Sequence, residues 1–174
     1  MREIETKRLF LRKLQADDAE SIFRNWASDS KVAKYVTWNV HKDIYETTAI
    51  LDMWLAEYDD DNCYRYGIEN KADVELMGMI DVVGYHHGNP VIGYCSCRRY
   101  WGNGYMTEAL SAVMKELAED GFDTLVIEAV EENVASNRVI VKNGFKLVGK
   151  REDRLSEMKP QVVTINSYRY YVEG

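Results

Sequence analysis

Arg98-Arg99-Tyr100-Trp101-Gly102-Asn103-Gly104-Tyr105-Met106-Thr107-Glu108-Ala109-Leu110 is the stretch whose reading decides the fold. It follows an apolar run, Val91 to Cys97, that reads as a strand, and it opens the strongest helical pattern in the chain. Met106, Ala109, Leu110, Val113 and Leu117 form one stripe at helical spacing, and Gly121 supplies the stop. A strand that ends in a glycine-containing turn and opens a helix makes an anion site, because free backbone N–H groups and the helix dipole converge on one point. Gly102 and Gly104 let the backbone come close to a ligand, and Arg98 and Arg99 add positive charge beside it. Taken alone, Gly-x-Gly has a second reading, a tight connection that needs glycine only for geometry. It lacks the third glycine of the dinucleotide fingerprint and the Gly-Lys-Ser/Thr ending of a P-loop.

Upstream, Leu9, Leu11 and Leu14 around Phe10 alternate as a half-buried strand. Asp17 and Asp18 then cap a helix carrying Ala19, Ile22, Phe23, Trp26 and Ala27, and Ser30 to Tyr35 predicts a second short one. Asp43 to Tyr58 predicts a longer amphipathic helix, ended by the Asp59-Asp60-Asp61-Asn62 turn. Tyr64 to Glu69 and Leu76 to Val83, joined by Asn70 to Glu75, predict an antiparallel hairpin, and Tyr85 to Pro90 a second turn. Downstream come a strand from Leu125 to Val130 and a helix capped by Asn133 and terminated by Gly144. Two closing strands follow, Phe145 to Lys150 and Thr164 to Val172. The order predicts an α/β (α+β) fold with about seven strands in a mixed sheet and four to five helices. A length of 174 residues fits one domain, taken as 1–174, with no repeat or linker interrupting it.

With 46% hydrophobic and 29% charged residues, the composition is that of an ordinary globular protein. No apolar run approaches the ~20 residues of a membrane span, and Met1 to Glu5 lacks the apolar core of a signal peptide, so a cytoplasmic location is expected. Three cysteines, Cys63, Cys95 and Cys97, suit a reducing compartment. Cys95 and Cys97 have no second pair with which to complete a zinc site, so no metal is expected. The net charge of −7 argues against nucleic-acid phosphate as a partner and accommodates a cationic one more easily, unless it serves solubility alone. No membrane partner is expected, and monomer and homodimer both stay open; the strand with Tyr168, Tyr170 and Tyr171 is either a pairing edge or a closing strand.

Ile92-Gly93-Tyr94 followed by Tyr100-Trp101-Gly102-Asn103-Gly104-Tyr105-Met106-Thr107-Glu108-Ala109-Leu110 resembles motif A of the GNAT superfamily of N-acetyltransferases. The form of that motif is similar to the branch containing the Rim-type ribosomal-protein N-terminal acetyltransferases. A second match, Asn133-Val134-Ala135-Ser136-Asn137-Arg138-Val139 leading to Lys142-Asn143-Gly144-Phe145, resembles the same branch and lies about 30 residues further on. Two motifs in the right order are far more specific than either alone.

The resemblance implies that acetyl-CoA, as co-substrate, lies where the strand ending near Cys97 and the strand ending near Val130 splay apart. It implies that the backbone from Arg99 through Gly102 and Asn103 to Gly104 holds the pyrophosphate, with Tyr105, Met106 and Thr107 also at the cofactor. Tyr94, Cys95, Ser96 and Cys97 would pair with the pantetheine arm, with Asn133 and Asn137 near the reactive end. Many members of the superfamily carry a proton-donating tyrosine where this chain has Ile140. In the Rim-type branch the serine of the second motif takes that role, which assigns it to Ser136, with Asn133 beside it. A helix-capping duty is the competing reading of Ser136.

Acetyl transfer to an amine needs a neutral amine, a polarised carbonyl and a proton for the leaving thiolate. An α-amine, with a pKa of about 7.7 to 8.0, needs less help than a lysine near 10.4. Asp81, Glu69, His86, His87 and Glu128 are the candidate bases. Trp38 and Asp81 are expected to line the substrate side, with a protein N-terminus or a small-molecule amine as acceptor. A non-catalytic acetyl-CoA sensor is the alternative.

Overall fold

The computed structural model describes residues Met1–Val172. Eight strands form one sheet in the order β1-β2-β3-β4-β5-β6-β8-β7. These are β1 (Ile4–Glu5), β2 (Leu9–Arg12), β3 (Arg65–Asn70), β4 (Glu75–His86), β5 (Asn89–Ser96), β6 (Thr124–Val130), β7 (Lys146–Ser156) and β8 (Lys159–Tyr171). Strands β1 to β5 form an antiparallel meander, and β6, β8 and β7 form a second antiparallel group. A parallel contact between β5 and β6 joins the two groups, and its register holds only Val91↔Val126 and Ile92↔Ile127. Beyond Ile92 the strands part, so β5 keeps its β4 partner as far as Ser96 while its other edge is unpaired.

Helices pack on both faces. On one side lie α1 (Ala19–Ile22), continued by a wider turn over Phe23–Ala27, then α2 (Ser30–Ala33) and α3 (Ile44–Ala56). They pack around Leu14, Ile22, Trp26 and Leu51. On the other side lie α4 (Tyr105–Glu119) and α5 (Val134–Lys142). Ala109, Leu110, Val113 and Leu117 of the α4 stripe are fully buried against Tyr66, Ile80 and Ile127. At about 1.5–3 kcal/mol for each large apolar side chain, that stripe anchors α4 without help from its ends.

The sequence pattern shortens four strands, β4, β5, β7 and β8. The turn expected from Tyr85 to Pro90 contracts to His87-Gly88, both with positive φ (52° and 81°), the backbone that a two-residue hairpin demands. Strands β7 and β8 run on through 151–163, where charged residues gave no apolar alternation. Main-chain ladder bonds carry them as a hairpin extending beyond the core. The two-residue β1 is the eighth strand, held by pairing with β2.

Candidate active site

Gly102 and Gly104 both adopt positive φ (77° and 78°), and Gly104 is the N-cap of α4 with no side chain closing it. Helix hydrogen bonding begins with Glu108 N–H to the Gly104 carbonyl at 3.1 Å. The N–H groups of Gly102, Gly104, Tyr105, Met106 and Thr107 therefore have no acceptor among the described residues. They converge, with the positive end of a 15-residue helix, at the point where β5 leaves its β6 neighbour.

The turn is braced from behind. Glu108 accepts from Thr6 Oγ1 at 2.7 Å, from Arg8 N at 2.9 Å and from Arg8 Nε at 2.6 Å, while Arg8 Nη1 donates to the Asn103 carbonyl at 2.9 Å. Trp101 Nε1 donates to the Ser96 carbonyl at 2.9 Å. The arginines expected to charge the turn do something else. Arg98 pairs with Asp29, and Arg99 lies over the Tyr100 ring and pairs with Asp73 at 3.7 Å. Positive charge comes instead from Lys31 and Lys34 on one wall and Arg138 and Lys142 on the other. Each pair is spaced at three or four residues and so shares a helix face, a signal the sequence carried.

Two lobes meet at this break in the sheet. One, of about 710 Å³, runs from the open end of α4 along Tyr94, Cys95 and Ser96 to α5. The other, of about 520 Å³, contains Trp38, Trp54, Asp81 and Gly93 and reaches the β7 wall. Tyr35, Val36, Tyr94, Cys95, Asn133 and Ser136 line both. Of the residues predicted for the cofactor, Ser96, Gly102, Gly104, Tyr105, Met106 and Thr107 line the first lobe, and Trp38 and Asp81, predicted for the substrate, line the second.

At that junction the Tyr94 hydroxyl lies 2.9 Å from Ser136 Oγ, and burial pushes the phenol above its ordinary pKa. The capping reading of Ser136 falls away: Asn133 is the cap, its Oδ1 accepting the Ser136 N–H at 3.2 Å, and the serine hydroxyl turns to Tyr94. Ile140 is fully buried core, as its apolar side chain requires.

Asn137 corrects the expectation that it lies beside the cofactor. Its amide nitrogen donates to the Val130 and Asn133 carbonyls at 2.9 and 2.8 Å, and its oxygen accepts from Tyr168 Oη at 2.6 Å and Asn166 Nδ2 at 2.9 Å. These bonds seal it into the α5–β6–β8 seam. The side chain of Cys97 packs toward the core, and that of Asn103 folds back on the Tyr100 and Trp101 carbonyls, so neither reaches the cleft as a side chain.

Asp81 forms part of the second lobe. Loss of solvent raises its carboxyl to about 6, and Arg65, 3.3 Å away, pulls in the opposite direction. The other candidate bases are elsewhere or occupied. Glu69 pairs with Arg12 at 3.1 Å, His86 and His87 are exposed and meet edge to face at the hairpin tip, and Glu128 is held by Arg151. Among the described residues, no three His, Cys, Asp or Glu side chains group in a way that could hold a metal ion. No described helix is long and apolar enough to cross a membrane.

Comparison with known proteins agrees with this architecture. Residues 8–146 match the family model described as the acetyltransferase (GNAT) domain. The chain belongs to the GNAT acetyltransferase family. A GNAT relative, the uncharacterized N-acetyltransferase YoaA of Bacillus subtilis, is 31% identical over 156 residues, covering 84% of each chain. Among solved GNAT structures, RimL, a ribosomal α-N-protein acetyltransferase in complex with coenzyme A, superposes with a TM-score of 0.86 at 20% identity over 98% of both chains. The microcin self-immunity acetyltransferase MccE, in complex with acetyl-CoA and AMP, gives 0.83 at 19% identity over 96% of this chain and 94% of that one. This chain is an acetyltransferase of that fold.

Proposed function

We propose that this GNAT enzyme, acting as one unit over 1–174, transfers the acetyl group of acetyl-CoA to a primary amine by direct attack on the thioester. The observation that carries the reading is the pairing of an uncapped α4 N-terminus with a second lobe, the two meeting at Tyr94 and Ser136. A sensor needs only the first lobe. RimL and MccE were solved with CoA and acetyl-CoA, which supports the same ligand here.

The fit rests on unpaired donors. The N–H groups of 102 and 104–107 suit a pyrophosphate, the unpaired β5 edge suits an amide-bearing arm, and Lys31, Lys34, Arg138 and Lys142 suit further phosphate charge. Bound acetyl-CoA supplies an activated carbonyl on a thiolate leaving group. The β5 edge near Tyr94 orients it and offers an N–H to the carbonyl oxygen. Asp81, ionised above about pH 6, takes the proton of the attacking amine, directly or through water. Ser136 returns a proton to the thiolate as the C–S bond breaks, and Tyr94 Oη can replace it. Trp38 and Trp54 wall the acceptor. An α-amine suits a base of this strength better than a lysine.

The test mixes protein, acetyl-CoA and a panel of amines and follows free CoA thiol. Amine-dependent release is expected, with kcat/KM falling as pH drops through about 6, and that limb is lost in Asp81→Asn. Acetyl-CoA binding with no amine-dependent release would leave a sensor.

A further inference from the structure

The net charge of −7 suggests a cationic acceptor such as a polyamine, but the charge around the acceptor lobe is arranged otherwise. Arg151 and Arg154 of β7 form part of its wall. Arg151 is matched, since both its Nη atoms bond to Glu128. Asp81 is matched from behind by Arg65, which Glu57 holds in turn. Arg154 forms no ion pair among the described residues. The lobe therefore presents one uncompensated guanidinium, which repels a second ammonium group and attracts an anion.

Building on the transferase reading above, we infer that the acceptor is a primary amine that also carries a carboxylate, its amine toward Asp81 and its carboxylate toward Arg154. Asp81 is registered with Gly93 on β5, and Glu128 follows Ile127, the β6 partner of Ile92. Because β5 and β6 part beyond Ile92, Asp81 and Glu128 stand more than two paired strand spacings apart, beyond about 10 Å. Asp81 and Arg154 line the same lobe of about 520 Å³, so one small molecule seated there meets both charges. The far wall is held at a set distance. Ser156 Oγ donates to the Thr37 carbonyl at 2.6 Å, and Lys159 Nζ donates to the carbonyls of Ala33 and Val36, clamping the β7–β8 hairpin onto the loop that forms the opposite wall. Gly93 lies beside Asp81 and packs against Val83: a Cβ there would lie 2.7 Å from Val83 Cγ1 and 3.8 Å from Asp81 Oδ1.

The experiment compares acetyl transfer to the standard amino acids, to their carboxamides, to spermidine, and to tripeptides opening on Asp or on Asn. The carboxamide has the less basic amine, so chemistry alone favours it, and a preference for the acid reports binding. We expect kcat/KM about tenfold or more higher for the charged member of the free pair or of the peptide pair, and the pair that responds identifies the source of the carboxylate. In Arg154→Gln that ratio collapses toward one, in Arg154→Glu it inverts, and Arg154→Lys restores part of it. Equal rates for charged and neutral members, a preference for spermidine, or a ratio unmoved by Arg154→Gln in a folded protein would overturn the inference while leaving the transferase reading intact. Acetyl-CoA binding without release to any amine would overturn both.

Discussion

Two helices point their N-termini at the same break in the sheet, and they are finished in opposite ways. At α5, Asn133 accepts the Ser136 N–H, Asn137 N–H bonds back to the Asn133 carbonyl at 3.0 Å, and the helix end is closed by its own side chain. At α4, glycine occupies the N-cap and the first N–H groups have no protein partner among the described residues. A side-chain cap stabilises by about 1 kcal/mol, and α4 forgoes it. The longer helix tolerates this because its buried stripe holds it in place, whereas α5 spans only nine residues and has Ile140 as its one fully buried side chain. An open terminus leaves its N–H donors for an anion. A closed one positions side chains, here the hydroxyl of Ser136.

Making α4 resemble α5 is the strongest way to break this contrast. In Gly104→Asp a carboxylate is set at the open start of α4, where its charge opposes an anion, in a backbone region that Asp tolerates better than most residues. Acetyl-CoA affinity measured by calorimetry should weaken about hundredfold, near 2.7 kcal/mol, with Tm moving by only a few degrees. Unchanged affinity would mean that the open turn is geometry alone. Ser136→Ala probes what the closed end presents. We expect kcat to fall about 10- to 100-fold while the Kd for acetyl-CoA stays within about twofold, and steady-state kinetics with an unchanged kcat would remove Ser136 as the donor. The smallest effect belongs to Asn133→Ala, which should lower stability by about 1 kcal/mol, or about 2–4 °C in calorimetric Tm, and leave cofactor affinity nearly untouched. If binding collapsed while Tm held, α5 too would be a ligand terminus and the contrast would fail.

The elements around the break were legible wherever a local period or a local stop wrote them. The α4 stripe, the glycines on either side of Asn103, the Asn133 cap and the Gly144 terminator are read from neighbours within a few residues, and each is found in the structure. What escaped was long-range or solvent-facing. Asn137 reads as a cleft residue because it sits in the second motif, yet its fate depends on Tyr168 and Asn166, about 30 residues on, which turn it away. Arg98 and Arg99 look like free charge until Asp29 and Asp73 arrive from distant loops.

The family resemblance and the open glycine turn were legible in sequence alone, because the two motifs, the glycines of the turn and the apolar stripe are properties of contiguous residues. The second lobe was decided only by the tertiary structure. Its members, Trp38, Asp81, Gly93, Arg151 and Arg154, come from four separate segments, brought together by the parting of β5 from β6 and by a hairpin clamped at Lys159. Strand pairing and burial set which charges meet there, and neither is written in any one stretch of the chain.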